Sequence, residues 1–475
     1  MLSSEITPFA KTGGLADVIG TLAPALERAG HELTLIMPAH RSVLRGYFAL
    51  DLSEVAISAL VGGAQLEAPV LRSRLGKNIS VFFVRADEYF DREYLYGTAQ
   101  ADYADNAERF VFFCRAALEV LRRYPVDIVH AHDWQAALAP VFLKLQSESY
   151  PEIASAKTVF TIHNLGFQGI FDATQWPLLN LPASWFTPAG LEFYARINFL
   201  KGALLFSDKI TTVSPTYARE IMTPEQGFGL DGVLRGRASD VIGILNGIDY
   251  QEWNPQADPA IACQYTVKNL AGKTGCKQEL QAFFQLPQRP DVPLLGVVSR
   301  LTAQKGFELI QKIWPELMQQ DLQFVLLGTG EARFVEFFTQ AATLHPEKAS
   351  VHIGFDEKLA HRIEAGADIF LMPSLYEPCG LNQMFSLRYG TIPIVRAVGG
   401  LNDSVENYDA EKATGTGFTF VPYEPEALND AVERALHAFA NERAWTALKR
   451  RAMKIDNSWD RSAAAYSTMY RDLFL

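Results

Sequence analysis

The sequence has few cysteines and no long apolar run. Its four cysteines, at positions 114, 263, 276 and 379, are far apart and form no CxxC pair, so neither a disulfide scaffold nor a zinc site is expected. No uninterrupted apolar stretch approaches the roughly 18 residues of a membrane-spanning helix. The first residues lack the basic segment and apolar run of a secretory signal. We therefore expect a reduced, cytoplasmic protein with no membrane partner.

The sequence also lacks the positive charge of a general nucleic-acid-binding protein. It has 43 Lys and Arg against 54 Asp and Glu, which gives a formal net charge of −11, so no nucleic-acid partner is expected. Its 475 residues are 48% hydrophobic and 20% charged, which is typical of a globular protein with about two or three domains. A local basic site for a phosphorylated ligand is compatible with this overall charge.

Short apolar runs, each followed by a polar or glycine-rich loop and often a helical pattern, recur along the chain. They lie at 33–37, 79–84, 127–130, 158–162 and 209–213, and again at 293–298, 323–327, 351–353, 368–372 and 392–395. The runs are β-branched and do not alternate, which indicates strands buried on both faces of a parallel sheet. With helical patterns at 107–124 and 307–320, they predict an α/β fold of two Rossmann-like, doubly wound domains facing across a cleft.

The domain boundary is predicted close to residue 243, because the following segment 246–255 is rich in turn residues. We expect an N-terminal domain over 1–243, a C-terminal domain over 244–456 and a terminal helix over 457–475. Only ten residues, almost without an apolar run, precede Lys11, so the first strand of the N-terminal domain is expected to be very short or missing.

Two loops have the composition of phosphate-binding segments. Lys11-Thr-Gly-Gly14 precedes a helical pattern, where paired glycines let backbone N–H groups approach an anion and Lys11 adds a positive charge. Ser299–Gly306 follows an apolar run and carries Arg300 and Lys305, a combination suited to a diphosphate. Taken singly, a plain glycine-rich turn and a pair of surface cations explain these loops equally well.

A third loop, Glu377-Pro-Cys-Gly-Leu381, follows the run at 368–372 and precedes a helical pattern at 382–389. Its Pro and Gly predict a tight turn that leaves the N–H groups of Cys379, Gly380 and Leu381 able to face a ligand. Glu377 would then accept hydrogen bonds from sugar hydroxyls. The alternative is an ordinary acidic residue at a helix start.

Histidines and a tryptophan end two further apolar runs. His130-Ala-His132-Asp133-Trp134 and Thr161-Ile-His163-Asn164 suit the wall of a sugar site. His130 and His132 have no third ligand at a suitable local spacing, so we interpret this pair as core histidines rather than a metal site.

Together these segments resemble the bacterial glycogen synthase and plant starch synthase family, which are retaining glycosyltransferases with two Rossmann-like domains in the GT-B arrangement. The resemblance runs from end to end. It is carried by Lys11–Asp17, Tyr103–Phe110, His130–Trp134, Thr161–Asn164, Asn246–Asp249, Ser299–Gly306 and Glu377–Leu381.

The resemblance implies roles for the matching residues. The catalytic set would be His163 beside the sugar, Arg300 and Lys305 on the diphosphate, and Glu377 on the glucose hydroxyls. Other donor contacts would come from Lys11, Gly14, Asn246, Cys379, Gly380 and Leu381. The acceptor side of the N-terminal domain would be formed by Glu5, Asp17, Asp133, Trp134 and Asn164, and the terminal helix would pack back on that domain.

The activity that the resemblance implies is transfer of glucose from ADP-glucose to the non-reducing end of an α-1,4-glucan with retention, without a metal or cofactor. Domain closure would bring Lys11 towards Arg300 and Lys305. A UDP-glucose-dependent synthase and a non-catalytic glucan- or nucleotide-binding relative are the alternatives. A phosphorylase shares the architecture, but no lysine site for pyridoxal phosphate is evident.

The sequence departs from family patterns at three places. Wider retaining relatives have a second glutamate eight positions after the first, where this chain has Phe385, as in the synthases. Gln135 stands where many synthases have a histidine. The short segment before Lys11 implies a shortened N-terminus, which leaves the role of Glu5 open.

Overall fold

The computed structural model describes residues 1–98 and 100–475, which form two compact units. The first comprises Met1–Gly247 and Trp459–Leu475, and the second Ile248–Ser458. The sequence placed the division after residue 243, but the next residues stay with the first unit. The N–H of Ile244 donates to the Thr212 carbonyl over 2.8 Å, and the Ser462 hydroxyl donates to the Leu245 carbonyl over 2.6 Å. The α/β fold class is confirmed.

The first unit alternates helices and strands. Its strands are β1 Thr34–Pro38, β2 Asp51–Val61, β3 Ala64–Leu75, β4 Ile79–Val84, β5 Ile128–His132, β6 Lys157–Ile162, β7 Ile170–Asp172, β8 Glu192–Phe193, β9 Arg196–Asn198, β10 Lys209–Thr212 and β11 Val241–Gly243. Its helices before residue 247 are α1 Gly14–Arg28, α2 Arg41–Arg45, α3 Asp87–Phe90, α4 Asn106–Arg123, α5 Asp133–Ala136, α6 Leu138–Leu145, α7 Phe199–Phe206, α8 Pro215–Glu220 and α9 Asp231–Gly236.

The segment Met1–Ser3 takes the place of a first strand. Leu2 forms parallel bridges to both Ile36 in β1 and Ala131 in β5, and its N–H and carbonyl bond to His130 and His132 over 2.8 and 3.0 Å. This residue joins two sets of strands into one sheet, in the order β2-β3-β4-β1, Met1–Ser3, β5-β6-β10-β11. The expectation of a very short first strand agrees with this arrangement.

An antiparallel hairpin extends one side of this sheet and was not predicted. In β2, the residues Val55, Ile57, Ala59 and Val61 are buried and alternate with exposed ones, because α4 packs on one face only. Such alternation is the signature of a strand with one solvated face. The sequence interpretation relied on continuous apolar runs, which mark strands buried on both faces.

The second unit contains one parallel sheet in the order β14-β13-β12-β15-β16-β17. Its strands are β12 Leu294–Val298, β13 Gln323–Gly328, β14 Ala349–Ile353, β15 Ile369–Met372, β16 Ile392–Arg396 and β17 Phe418–Phe420. Its helices are α10 Ala271–Phe283, α11 Phe307–Gln319, α12 Ala332–Leu344, α13 Glu357–Gly366, α14 Asn382–Tyr389, α15 Gly399–Ser404, α16 Pro425–Phe439 and α17 Glu442–Ala452.

The last helix, α18 (Trp459–Asp472), packs against α1 in the first unit. Its residues Trp459, Tyr466 and Tyr470 are buried in the same apolar core as the α1 residues. The Tyr470 hydroxyl also lies 2.7 Å from Nδ1 of His130. None of the helices formed by the described residues is long and apolar enough to span a lipid bilayer.

We expect Tyr466→Ala to destabilise the first unit by about 3–5 kcal/mol, because it leaves a cavity in a fully buried site. Phe474→Ala, whose side chain is exposed near the same end of the chain, should change stability by less than about 0.5 kcal/mol. Urea unfolding followed by fluorescence checks both variants. Equal midpoints for the two variants would contradict the assigned packing of α18.

Candidate functional site

In the second unit, the loops after β12 and β15 lie together because parallel neighbours end at the same edge of the sheet. The Leu375 N–H donates to the Gln304 carbonyl over 2.8 Å. Gly306 has φ +78°, and a Cβ there would lie 1.9 Å from the Pro373 carbonyl oxygen. Only glycine permits this approach of two backbones, and it brings Lys305 to the loop that carries Glu377.

Glu377 and Lys305 form an ion pair in which the carboxylate is buried and the lysine is partly exposed. The ammonium of Lys305 is 2.6 Å from Oε2 of Glu377, and the Ser374 hydroxyl donates to the same oxygen over 3.0 Å. Glu377 is only 5% exposed. Arg300 is exposed at the start of the same loop. Burial raises the pKa of Tyr376, and the positive charge of Arg300 lowers it. The site therefore combines a fixed carboxylate with two cations.

The turn from Glu377 to Leu381 ends where α14 begins, as predicted. Gly380 has φ +71°, and a Cβ there would lie 2.5 Å from Oε1 of Gln383, so this position requires glycine. Gly399 and Gly400 support the turn from the other side. The Gly400 N–H donates to the Glu377 carbonyl over 3.1 Å, and a Cβ on Gly399 would lie 1.9 Å from the same oxygen.

Sequence reasoning missed this second glycine pair. Val398-Gly-Gly-Leu401 has the same pattern of paired glycines at a helix start as Lys11-Thr-Gly-Gly14, and it follows β16 directly. That pattern could have identified it as part of the same loop edge.

In the first unit, Glu5 holds the loop that contains Lys11 and Gly14. Its carboxylate accepts hydrogen bonds from the Thr12 N–H, from the Thr12 hydroxyl over 2.7 Å and from the Gly13 N–H over 3.3 Å. The Tyr96 hydroxyl donates to it over 2.5 Å. Because these partners occupy both carboxylate oxygens, Glu5 acts on the site by fixing the loop. Tyr96 is a further site residue that sequence reasoning missed.

The space above the start of α1 is open. A Cβ added to Gly13 or Gly14 would meet no atom within 4 Å, so packing within the protein does not require glycine there. Side-chain-free positions at a helix N-terminus allow an anion to reach the backbone N–H groups. Lys11 lies 2.8 Å from Asp17, with side chains 42% and 33% exposed. Such an exposed pair contributes about 0–1 kcal/mol, so an anion can recruit Lys11 at small cost.

Asp133 and His163 meet where β5 and β6 end. Oδ1 of Asp133 accepts a hydrogen bond from the backbone N–H of His163 over 2.7 Å. Removal from water raises the pKa of Asp133 to about 7, and the charge of Glu5 adds to this effect. Asp133 also has φ +56°, an uncommon conformation that aspartate adopts more readily than most residues. Burial lowers the pKa of His163 to about 3, so its imidazole is neutral at physiological pH.

The histidines behind His163 differ in their hydrogen bonding. His130 contacts the hydroxyls of Tyr470 and Thr161 at 2.7 and 2.6 Å, which fits the prediction of a core histidine. Nδ1 of His132 is 3.1 Å from Nε2 of His163, while Nε2 of His132 is buried without a hydrogen-bond partner among residues 1–98 and 100–475. His132 therefore orients His163. Burial lowers the pKa of both His130 and His132.

Trp134, Asn164 and Asn246 surround this part of the first unit. The Trp134 ring packs edge-on against Phe110, with centroids 4.9 Å apart. Oδ1 of Asn164 accepts a hydrogen bond from the Gly166 N–H over 3.0 Å, forming a tight turn. Asn246 follows β11 and is buried, and its Oδ1 has no hydrogen-bond partner within the described residues. A ligand that offers a donor would satisfy this oxygen.

Phe385 and Gln135, the two positions that depart from family patterns, differ in how their side chains are satisfied. Phe385 stacks on Trp253, with centroids 3.7 Å apart and planes 10° apart. Gln135 is buried, and its backbone carbonyl accepts a hydrogen bond from the Cys114 thiol, while its side-chain Oε1 has no hydrogen-bond partner in the part of the chain that the structure describes.

The structure brings the predicted residues into two groups. Arg300, Lys305, Glu377, Cys379, Gly380 and Leu381 lie on adjacent loops of the second unit. Glu5, Lys11, Gly14, Asp17, Asp133, Trp134, His163, Asn164 and Asn246 lie on the first, at or beyond strand ends. Their individual roles toward donor and acceptor stay predictions.

Comparison with known proteins agrees with this arrangement. Residues 1–236 match the starch synthase catalytic domain, and residues 278–451 match the glycosyl transferases of group 1. The chain is 45% identical over 473 residues to glycogen synthase 2 of Geobacter sulfurreducens, covering 99% of this chain and 98% of that one. It is 48% identical over 478 residues to a glycogen synthase from an Anaeromyxobacter species, with the same coverage.

Among solved structures, the catalytic domain of starch synthase IV from Arabidopsis thaliana, bound to ADP and acarbose, superposes with a TM-score of 0.90. It is 34% identical and covers 99% of this chain and 98% of its own. A sucrose-phosphate synthase from Thermosynechococcus elongatus has a TM-score of 0.62 at 18% identity, covering 100% of this chain and 98% of its own, and shares the fold alone. The expected resemblance is confirmed: this chain belongs to the glycogen synthase and starch synthase family of glycosyltransferases.

Proposed function

We propose that this protein transfers glucose from ADP-glucose to the non-reducing end of an α-1,4-glucan with retention of configuration. The observation that carries the proposal is the buried Glu377 carboxylate, held against Lys305 on the loop edge of the second unit. The relatives named glycogen synthase and the Arabidopsis starch synthase bound to ADP and acarbose support the substrate classes. The cytoplasmic location remains a prediction of the sequence.

The reaction places negative charge on the leaving diphosphate while the sugar becomes oxocarbenium-like. Cations and N–H donors that are already fixed stabilise such charge most effectively, because they do not reorganise during the reaction. Arg300, Lys305 and the N–H groups at Gly380 and Leu381 are suited to this task. Lys305 is already oriented by Glu377, so little ordering is needed when the diphosphate binds.

Glu377 is suited to grip the transferred glucose. One of its oxygens accepts from Lys305 and Ser374, which leaves the other oxygen for a sugar hydroxyl. Its negative charge also favours the positive sugar of the transition state over the neutral ground state. This difference in binding adds to the stabilisation that the cations and N–H donors give the diphosphate.

A neutral His163 is suited to contact the sugar without adding charge. One ring nitrogen lies against His132, which leaves Nδ1 for a hydroxyl or for the reacting centre. A cationic imidazole would oppose the developing positive charge of the sugar. The lowered pKa of His163 prevents that above about pH 4.

The donor comparison tests the proposal directly. With glycogen as primer, ADP-glucose should support glucose incorporation and release of ADP, with UDP-glucose much slower. Faster transfer from UDP-glucose would favour the alternative donor. Binding of glycogen without transfer from either donor would indicate a non-catalytic relative and overturn the proposal.

We expect Lys305→Ala to lower kcat by about 10²–10³-fold, because it removes a fixed cation and leaves Glu377 buried without its ion-pair partner. Glu377→Ala and Lys11→Ala should also reduce transfer strongly. Lys312→Ala, on the exposed side of α11, is the matched control and should keep the wild-type rate. A near-normal kcat for folded Lys305→Ala protein would remove its assigned role.

We expect Asp133→Asn to change the pH dependence of stability. An asparagine keeps a side-chain oxygen for the backbone N–H of His163 and tolerates positive φ. Because the pKa of Asp133 is raised, the stabilisation that this group contributes is fully present below its usual pKa of 3.8. That contribution is lost as the pH rises through about 7. The unfolding temperature of the variant relative to wild type should therefore rise between about pH 4 and 7 and level off above that. Thermal unfolding checks this, and a difference independent of pH would contradict the raised pKa.

A further inference from the structure

Four aromatic residues of the first unit form an exposed surface beyond the loop that carries His163. We call Phe167, Phe193, Tyr194 and Phe228 the aromatic patch. Tyr194 is 78% exposed, Phe167 59% and Phe228 40%, while Phe193 is half-buried. Large aromatic rings with this exposure usually mark a surface where a ligand or partner binds.

The backbone that presents the patch is strained. Tyr194 has φ +50°, the adjacent Ala195 has φ +60° and Phe228 has φ +48°, although none of them is a glycine. Bulky residues adopt this conformation rarely, and it persists where the surrounding structure enforces it. Tyr194 and Ala195 are the two residues of the tight turn between β8 and β9, where positive φ is the usual backbone geometry, and this turn fixes where the Tyr194 ring stands.

Hydrogen bonds hold the strained segments in place. The Ala195 N–H donates to Oε1 of Glu192 over 2.7 Å, which closes the turn between β8 and β9. The side-chain amide of Gln168 donates to the Phe228 carbonyl over 3.1 Å. The Asn198 amide in turn donates to Oε1 of Gln168 over 2.6 Å. Gln168 therefore connects the three segments that carry the patch.

The rings also lie close to one another. The Phe193 and Tyr194 rings are edge to face, with centroids 4.7 Å apart. A Cβ on Gly229 would lie 3.0 Å from Cζ of Phe193 and 3.5 Å from Cε2 of Tyr194. The hairpin rings thus contact the backbone directly after Phe228, and the surface is formed before any ligand arrives.

The patch is continuous with the acceptor-side residues of the first unit. Phe167 lies in the loop that begins at His163 and Asn164. Two residues after it, Gly169 packs against Trp134, where a Cβ would lie 2.6 Å from the indole ring. A polymer whose end lies at Trp134 and His163 can therefore extend along this loop to the aromatic patch.

We infer that the aromatic patch binds the α-glucan acceptor at glucose units distant from the reacting end, an inference that rests on the proposed function. Glucose rings present apolar C–H faces that stack on aromatic side chains, and their hydroxyls stay in water. The ligand is neutral, and the rings of the patch carry no charge that would select an ionic partner. Each added contact on one chain increases the apparent affinity for long acceptors, since later contacts are intramolecular.

Acceptor length provides the test. The double variant Tyr194→Ala and Phe228→Ala, and separately Phe167→Ala, are compared with wild type in ADP-glucose assays with maltotriose, maltoheptaose and glycogen. Alanine is chosen because glycine would also relax the strained backbone. Tyr47→Ala is the matched control, since Tyr47 is fully exposed on the same unit between α2 and β2.

The double variant should raise the KM for maltoheptaose and glycogen by about tenfold. Its kcat and its KM for maltotriose should stay within about twofold of wild type, and Tyr47→Ala should change neither. An unchanged ratio of long to short acceptor efficiency in both patch variants would overturn the inference while the proposed function stands. Absence of transfer by the wild-type protein to any acceptor would instead overturn the proposed function. Phe167→Ala lies outside the positions of positive φ, so it decides the matter if the double variant unfolds.

Discussion

A buried carboxylate needs a cation beside it, and the pair of Glu377 and Lys305 meets this need on the loop edge of the second unit. An isolated charge with so little exposure would be costly, while a paired one is stable as long as its partner cannot leave. The close backbone approaches at Gly306 and Gly399 keep the two loops in register. The order of β12 and β15 in the sheet brings those loops side by side. The ion pair therefore depends on the order of the strands, which brings the loops together, and on the glycines, which let their backbones approach.

In the first unit, a carboxylate fixes the loop through backbone hydrogen bonds instead of through an ion pair with a lysine. There the carboxylate of Glu5 lies beneath the loop and accepts its N–H groups, and Tyr96 completes the shell. The loop consequently offers its open side, above Gly13 and Gly14, rather than a buried charge. One unit presents a fixed ion pair and the other an exposed lysine with accessible backbone. Both are fixed loops, and the proposed function assigns their charged groups to the phosphorylated sugar.

Much of this could be predicted from the sequence, because continuous apolar runs mark strands that are buried on both faces. The strands later found as β1, β4, β5, β6, β10 and β12–β16 were identified in this way, and α14 begins and ends where predicted. The hairpin of β2 and β3 was missed because its pattern alternates. The first strand was expected to be very short or missing, but its position at Met1–Ser3 was not identified, since only Leu2 bridges both neighbours. The Lys305–Glu377 contact joins residues far apart in sequence, so no local pattern could reveal it.

Side-chain ionisation could not be read from the sequence either. Asp133 and His163 are ordinary titratable residues until burial raises the pKa of one and lowers that of the other. The stack of His130 and His132, with centroids 4.1 Å apart, further depends on Tyr470, which is supplied by α18 from the far end of the chain. That dependence has a consequence for synthesis on the ribosome. Domains generally fold as they emerge, the N-terminal one first, but here the first unit lacks part of its core until the last residues have been translated. The second unit, Ile248–Ser458, is continuous in sequence and does not depend on that last helix.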